Sequence, residues 1–217
     1  MNLVKKTLKI GEIDKITCIC KKKLTFGRKK NNKSHMKREK KEPLAMCWNP
    51  VDAKCLRERS EGSVPDVSGI YKWWASRKCL KTILDALQLN MKDVENSIEK
   101  KENIDLYCIY VGQADSLEVR LKGNHVNGRG KSTFRKSVEA VVKKIYGNQD
   151  VEKNTNSFID KLKIEYRFVS QKKLDDTEIK EIGNKYLRLF NQQHNGGNEL
   201  RKTYGITKKL KELRNEL

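Results

Sequence analysis

The chain has 217 residues, of which 48 are lysine or arginine and 28 are aspartate or glutamate, giving a formal net charge of +20. An excess of this size favours a polyanionic partner, and nucleic acid is the expected one. No apolar run reaches the roughly 20 residues that a membrane-spanning helix needs, which argues against a membrane protein. No signal-peptide-like apolar segment is found near the N-terminus, so we expect a cytoplasmic location.

Hydrophobic residues make up 36% of the chain and charged residues 35%. This composition is enough for the core of one domain, with part of the chain left as a solvated extension. Six cysteines are scattered without a C-x2-C pair, which fits neither a secreted disulfide framework nor the usual zinc-finger spacing. We interpret them as free thiols. A zinc site is the alternative, and its ligands would come from Cys18, Cys20, His35, Cys47 and Cys55.

Residues 1–65 are predicted to form a basic N-terminal extension. The block from Lys21 to Glu42 has almost no apolar residues. We expect it to be solvated and partly disordered, and to track nucleic-acid phosphates. Asn49 followed by Pro50 predicts a short helix that starts there and ends by Gly62.

The main domain, predicted over residues 66–200, opens with two strand-like segments. Val67–Trp74 is rich in β-branched and aromatic residues, and Leu106–Val111 is an apolar run that stops at Gly112. Between these segments, four apolar residues recur with helical spacing, which predicts a helical insertion. They are Leu80, Ile83, Leu84 and Leu87.

A short helix is predicted after the second strand. Asp115 or Ser116 can cap its N-terminus, and Leu117 and Leu121 lie one turn apart on the same face. Arg120 lies between the two leucines, so we expect it to project from the flank of the helix near the end of the strand.

A basic turn and another helix come next. The turn, Lys122–Lys131, holds His125 and three glycines, and the helix opens at Ser132. A basic loop before a helix N-terminus is a favourable place for a phosphate group. The residues predicted to contact nucleic acid are Lys122, Arg129, Lys131, Ser132 and Arg135. The apolar stripe predicted for the helix is Phe134, Val138, Val141 and Ile145.

The remainder of the domain is predicted as a linker, a strand and a helix. Asn148–Asn156 is polar, whereas Lys163–Ser170 alternates between apolar and polar residues and predicts a third strand. Asp175 or Asp176 would cap a helix that runs to about Phe190. The residues expected on its buried side are Ile179, Ile182, Tyr186, Leu189 and Phe190.

Residues 201–217 are predicted to form a charged tail with a docked amphipathic helix, on which Ile206, Leu210 and Leu213 share one face. Together these elements predict an α+β fold. Its sheet would be small, mainly antiparallel and three-stranded, with helices around it.

Five features occur in an order that resembles the GIY-YIG nucleases. The sequence GIY stands at Gly69–Tyr71 and YVG at Tyr110–Gly112. Arg120 follows at the place of that family's catalytic arginine, on the helix after the second signature. Glu178 and Asn191 resemble the family's metal-binding glutamate and the asparagine that closes its site.

The resemblance covers residues 67–197 and departs from the family in one respect. The two signatures are usually separated by about ten residues, as in a simple hairpin. Here Tyr71 and Tyr110 are much further apart, and the predicted helical insertion accounts for the gap.

The resemblance implies a metal-dependent endonuclease that hydrolyses DNA phosphodiester bonds with Mg²⁺ or Mn²⁺, and we expect a restriction-type enzyme. Tyr71 and Tyr110 would orient or deprotonate water, and Arg120 would bind the nonbridging oxygens. Glu178 would hold the metal, and His125 is a candidate for proton transfer. The residues expected to support the site are Gly69, Gly112 and Asn191.

Other interpretations stay open. A DNA repair or mobile-element nuclease is the alternative within the same class. Outside it, the alternatives are a basic nucleic-acid-binding protein without catalysis and a ribosome-associated basic protein, which would prefer RNA. A homodimer on DNA is compatible with any nuclease interpretation. Glu181 competes with Glu178 for the metal. A helical wheel puts Glu178 at the edge of the apolar side and Glu181 towards solvent, so we prefer Glu178.

Deleting residues 21–41 tests the role of the basic block. We expect a shallower dependence of DNA affinity on salt, because fewer counterions are released when fewer phosphates are neutralised. Sequence preference should not change. Fluorescence anisotropy on one duplex across a salt series measures the slope of log affinity against log salt. An unaltered slope would show that this block does not contact phosphate.

Overall fold

The computed structural model describes residues 47–58, 64–101, 104–183, 185–191 and 199–215. The predictions for the basic block, and for Cys18, Cys20 and His35 as zinc ligands, lie outside these residues. Cys47 and Cys55 are free thiols. No helix in the described ranges is long and apolar enough to cross a membrane.

Four antiparallel strands form one sheet in the order β1-β4-β2-β3. The strands are β1 (Asn49–Asp52), β2 (Gly69–Ser76), β3 (Leu106–Ala114) and β4 (Lys163–Phe168). β2 is an interior strand, since it pairs with β4 on one side and with β3 on the other. The predicted α+β class is confirmed, with helices flanking the sheet.

The sheet has one strand more than the three that the sequence predicts. Asn49–Asp52 pairs with residues 163–166 of β4 as an edge strand, where the prediction has the start of a helix. Pro50 fits this place because an edge strand tolerates a residue without a backbone N–H. The helix begins only afterwards, as α1 (Ala53–Glu58).

The described residues form further helices between and after the strands. These are α2 (Arg77–Ala86), α3 (Met91–Val94), a π-helix (Glu118–Val126), α4 (Thr133–Tyr146), α5 (Val151–Ile159), α6 (Leu174–Ile182), α7 (Glu199–Thr203) and α8 (Ile206–Asn215). Short 3₁₀ segments lie at Glu95–Ser97 and Gln171–Lys173. Of the four apolar residues with helical spacing between the first two signatures, Leu80, Ile83 and Leu84 lie in α2 and Leu87 is its C-cap.

Each face of the sheet carries a hydrophobic core, and the side chains of β2 alternate between the two. Tyr71 and Trp73 enter the larger core, in which Trp73 stacks on Phe134 of α4 with ring centroids 4.3 Å apart. Ile70 and Trp74 enter the smaller core on the other face, together with part of α6. Because of this alternation, β2 contributes side chains to both cores.

α4 begins where the sequence predicts. Ser132 Oγ accepts the backbone N–H of Arg135 at 2.9 Å, which is the hydrogen bond of an N-cap. Three of the four residues of the predicted apolar stripe are fully buried. Ile145 is the exception, with 39% of its surface exposed, because it lies in the last turn of the helix, where the core no longer covers it.

Two segments predicted as irregular are helical. The π-helix covers the first half of the predicted turn Lys122–Lys131, and α5 occupies most of the predicted linker Asn148–Asn156. α5 buries Thr155, Phe158 and Ile159 and packs against α4. Tertiary packing of these few residues outweighs the polar composition that suggested a linker.

The helix predicted from Asp175 or Asp176 to Phe190 is wrong at both ends. α6 starts before these aspartates, without a side-chain cap, and stops at Gly183, whose φ of +52° glycine adopts without strain. Ile179, predicted to be buried, is 62% exposed. The apolar residues beyond the helix are buried without being helical: Leu187, Leu189 and Phe190.

The C-terminal helix α8 packs against the larger core. Ile206, Leu210 and Leu213 of α8 are buried in the larger core, and α8 packs on α4. The far end of α8 is also tied by Arg214, which donates a hydrogen bond to Ser137 Oγ. Both contacts hold α8 against α4.

The register of α6 can be tested with two substitutions on that helix. Leu174→Ala should lower the free energy of unfolding by about 2–3 kcal/mol, because it removes a buried side chain from the smaller core. Ile179→Ala should change it by less than about 0.5 kcal/mol, because that side chain is already in solvent. Urea unfolding of both variants measures the difference. Equal losses would contradict the register.

Candidate active site

The two signature tyrosines lie side by side on β2 and β3. Tyr71 stands opposite Gly112, and the ring centroids of Tyr71 and Tyr110 are 6.1 Å apart. A Cβ atom at position 112 would lie 2.5 Å from Tyr71 Oη and 2.8 Å from Tyr110 Cε1. A Cβ at Gly69 would lie 2.4 Å from the carbonyl oxygen of Arg167. Both glycines therefore make room that no other residue would leave.

Arg120 and His125 are carried by the π-helix. Its hydrogen bonds join residues five apart, so side chains five positions apart fall near the same side. Ser116 starts this region, since its Oγ accepts a backbone N–H of the first turn at 3.1 Å. The positive charge of Arg120 acts to lower the pKa of both tyrosines and of His125. The guanidinium group therefore acts on the tyrosine pair.

A series of hydrogen bonds runs inwards from Tyr71. Tyr71 Oη lies 2.8 Å from His125 Nε2, and His125 Nδ1 lies 2.6 Å from Ser132 Oγ. Ser132 Oγ also accepts the N–H of Arg135, so the residue that caps α4 holds the imidazole as well. We name Tyr71, His125 and Ser132 the hydrogen-bonded triad. All three residues are buried, with 1%, 1% and 4% of their surfaces exposed.

His125 is neutral in this setting. Burial, together with the charges of Arg120 and Arg135, lowers the pKa of His125 to about 3. Two tautomers satisfy the triad. In one, Ser132 donates to Nδ1 and Nε2–H donates to Tyr71; in the other, Nδ1–H donates to Ser132 and Nε2 accepts the proton of Tyr71. Only the second tautomer lets His125 withdraw a proton from the tyrosine.

Both tyrosines hold their protons at neutral pH. Burial, followed by the neighbouring Tyr110, raises the pKa of Tyr71 well above its usual value. Burial and the charge of Glu178 raise the pKa of Tyr110 to about 12. A phenol of this kind becomes a base only if another group takes its proton in the same step. His125 Nε2, at 2.8 Å from Tyr71 Oη, is placed to do so.

Glu178 brings a carboxylate to the tyrosine pair. It lies on α6, is 8% exposed, and its charge acts to raise the pKa of Tyr71 and of Tyr110. In the part of the chain that the structure describes, no three His, Cys, Asp or Glu side chains come together as a metal cluster. One carboxylate fits a Mg²⁺ or Mn²⁺ ion whose other ligands are water and substrate phosphate, as is common for Mg²⁺.

Asn191 ties the site to the outer edge of β3. Its Oδ1 accepts the backbone N–H of Val111 at 2.9 Å, and its Nδ2 donates to the Val111 carbonyl at 2.6 Å. The carboxamide takes the place of a neighbouring strand, and the next bond of this edge joins Phe190 N to Ile109 O at 3.0 Å. Asn191 thus fixes the backbone on both sides of Val111, between the signature tyrosine and the signature glycine.

The five residues predicted to contact nucleic acid divide into two groups. Arg129 and Lys131 are exposed on the loop before α4, and Lys122 is half-buried. Ser132 and Arg135 are buried, which is not the surface position that a phosphate contact needs. The guanidinium group of Arg135 donates to four acceptors of the scaffold: His125 O at 3.2 Å, Val126 O at 2.9 Å, Asn156 Oδ1 at 2.8 Å and Glu139 Oε1 at 3.2 Å.

The helical wheel put Glu181 towards solvent, and this prediction is wrong. Its carboxylate lies 3.0 Å from Lys72 Nζ and 2.6 Å from Arg167 Nη2. The wheel failed because it was drawn for a helix that continues to Phe190. Lys72 was also missed, although a lysine inside the otherwise apolar run GIYKWW is a signal for a buried charge that needs a partner.

The neutral state of His125 predicts a pH dependence of stability. An unfolded histidine has a pKa of about 6.5, so the unfolded chain binds a proton that the folded protein excludes until the pH falls to about 3. Stability is therefore lost as the pH falls below about 6.5, by about 2 kcal/mol between pH 7 and pH 5. His125→Gln should lose less over that interval in urea unfolding. Parallel losses in both proteins would show that His125 is protonated when folded.

The chain was compared with known proteins. Searches of curated proteins and of solved structures returned no match. A family model described as the GIY-YIG catalytic domain matches residues 69–216, which begin at β2 and include both tyrosines and the rest of the predicted site. The match covers most of the chain and confirms the resemblance seen in the signatures. The chain therefore belongs to the GIY-YIG family, and residues 69–216 form its nuclease domain.

Proposed function

We propose that the protein is a metal-dependent DNA endonuclease of the restriction type. The observation that carries the proposal is the buried triad of Tyr71, His125 and Ser132. The ring of Tyr71 contacts that of Tyr110, on which the charges of Arg120 and Glu178 both act. A series of proton donors and acceptors that reaches a basic surface is what phosphodiester hydrolysis requires. A protein that only binds DNA has no need of it.

Tyr71 is assigned to the attacking water. Its oxygen accepts a proton from that water as its own proton passes to His125 Nε2, in the tautomer whose Nδ1–H donates to Ser132 Oγ. The low pKa of His125 opposes this transfer while the site is empty. Since Arg120 contributes to that low pKa, a bound phosphate that neutralises Arg120 makes His125 more basic. Substrate binding thus shifts the pKa of His125 upwards, in the direction that base catalysis requires, while burial, the largest cause, still acts to lower it.

Arg120 and Glu178 are assigned to the phosphate. The guanidinium group of Arg120 presents a planar pair of donors to the nonbridging oxygens and stabilises the charge that develops on them. Glu178 would hold a divalent cation, which when bound supplies positive charge for the departing oxygen. Tyr110, protonated with its raised pKa, donates a hydrogen bond beside the scissile phosphate.

The remaining basic residues are assigned to binding. Arg129, Lys131 and Lys122 border the site and would contact phosphates of the duplex, with affinity that falls as salt rises. Gly69, Gly112 and Asn191 keep the strands in place, and Ser132 and Arg135 are assigned to the scaffold. A homodimer on DNA would supply one such site to each strand of the duplex.

Cleavage assays on a defined plasmid test these roles. Arg120→Ala should lower the rate by about 10²-fold or more, and Arg120→Lys should restore little, because lysine lacks the paired donors. Glu178→Gln should abolish Mg²⁺-dependent cleavage and keep or tighten DNA binding, since it removes a negative charge that faces phosphate.

Matched controls separate these effects from loss of fold. Asp176→Asn removes a carboxylate from the exposed side of the same helix, and Lys136→Ala removes an exposed cation from α4. Both should cleave at the wild-type rate. Wild-type cleavage by a folded Arg120→Ala protein would refute the site. Sequencing the ends decides the class, since a fixed recognition sequence supports a restriction enzyme and cleavage only at branched or damaged DNA supports a repair nuclease.

A further inference from the structure

Lys72 carries a buried positive charge on the sheet face opposite the tyrosines. It follows Tyr71 in β2, so the two side chains leave the strand on opposite sides, and only 7% of Lys72 is exposed. Its Nζ lies 3.1 Å from Glu99 Oε1 and 3.0 Å from Glu181 Oε2. Burial alone would lower the pKa of Lys72, but its acidic neighbours raise it above the usual value, so the ammonium group stays charged.

Further cations converge on the last turn of α6. Arg167 of β4 donates to Glu181 Oε1 at 2.6 Å. Arg188, which is 2% exposed, donates to the carbonyl of Glu181 at 3.2 Å and also pairs with Glu99. We name Lys72, Arg167 and Glu181 the far-side clamp. It joins β2, β4 and α6 through one carboxylate.

Apolar packing gives α6 little anchorage of its own. Within this nine-residue helix, Leu174 and Glu178 are the buried residues, and Ile179 is 62% exposed. Ile182 packs against the smaller core but is only partly buried. A short helix with so little buried apolar surface is not held firmly by the hydrophobic effect alone. Its position on the sheet therefore also depends on polar contacts, and the clamp supplies two ion pairs through the Glu181 carboxylate.

The ion pair between Lys72 and Glu181 connects the strand that carries Tyr71 with the helix that carries Glu178. Lys72 is adjacent to Tyr71 in β2, and Glu181 is three residues from Glu178, which puts both glutamates on the same side of α6. The contact of 3.0 Å between Lys72 and Glu181 thus sets the distance between the strand that carries the tyrosine and the helix that carries the metal ligand.

We propose that Lys72 and Glu181 are positioning residues that hold Glu178 at the tyrosine pair and thereby set the affinity for the divalent cation. The inference rests on the proposed function of Glu178 as the metal ligand. Residues behind metal ligands commonly change metal affinity by about 10–100-fold when they are mutated. Glu181→Gln removes the charge and keeps the shape, while Lys72 retains Glu99 as a partner, so the fold is preserved.

The experiment compares three Glu→Gln variants with the wild type. Cleavage of a plasmid is followed across a Mg²⁺ series, and Mn²⁺ binding to the DNA complex is followed by electron paramagnetic resonance. Glu181→Gln should raise the half-maximal Mg²⁺ concentration and weaken Mn²⁺ binding by about 10-fold or more. At saturating Mg²⁺ its rate should return to within about threefold of the wild type, because the catalytic groups are intact.

The matched control is Glu165→Gln. Glu165 is also a buried carboxylate in an ion pair on this part of the sheet, but its ion pair is with Lys101, which does not lie on α6. It should leave the Mg²⁺ dependence unchanged at a similar cost in stability. If Glu181→Gln behaves like Glu165→Gln while Glu178→Gln loses metal-dependent cleavage, the clamp is refuted and the proposed function stands. If Glu178→Gln cleaves and binds Mn²⁺ like the wild type, both are refuted.

Discussion

The pairing of Tyr71 with Gly112 across β2 and β3 is the contact on which the site depends. The missing side chain at position 112 lets two phenol rings lie 6.1 Å apart, and a single Cβ there would reach within 2.5 Å of the Tyr71 hydroxyl. Everything else is arranged around that pair. The π-helix and α4 close over one side and bring His125 to Tyr71, while α6 brings Glu178 towards both rings. Asn191 then occupies the outer edge of β3, so the strand that carries the second tyrosine is fixed on both of its edges.

On both sides of β2, ionisable groups are buried, and burial disfavours their charged forms. The two sides differ in whether these groups are neutral or are kept charged by ion pairs. On the tyrosine side, burial keeps the groups neutral: His125 stays unprotonated and both phenols stay protonated. On the far side the groups stay charged, because Lys72 is surrounded by carboxylates. Removing one partner from such a buried pair typically costs about 3–5 kcal/mol, since the remaining charge is left uncompensated. On the tyrosine side proton transfer is opposed while the site is empty, because burial favours the neutral form of each group, whereas on the far side the ion pairs hold the charges in place. This division suits a strand that must hold a reactive tyrosine in a fixed position.

The sequence predicts the elements that depend on local signals and misses those that depend on packing. The alternation of β4, the capping serine of α4 and the two signatures each have a pattern that can be recognised locally, and each is found in the structure. β1 was missed because Asn49-Pro50 is an equally good helix start, and only its pairing with β4 decides between the two. The burial of Arg135 could not be predicted, because the carbonyl groups that receive its guanidinium belong to the end of a π-helix that has no sequence signature.

The π-helix also explains why His125 could be predicted as a candidate but not placed. In an α-helix, residues three or four apart share a face, and a histidine five positions after Arg120 would turn away from it. The wider turn brings the two back to the same side, where the arginine lowers the pKa of the imidazole. The same local change moves His125 against Ser132, so the cap of α4 becomes part of the proton path. A helix of ordinary pitch with this sequence would direct Arg120 and His125 to different sides. The bulged geometry is therefore a requirement of the site, in keeping with the general occurrence of π-turns at functional positions.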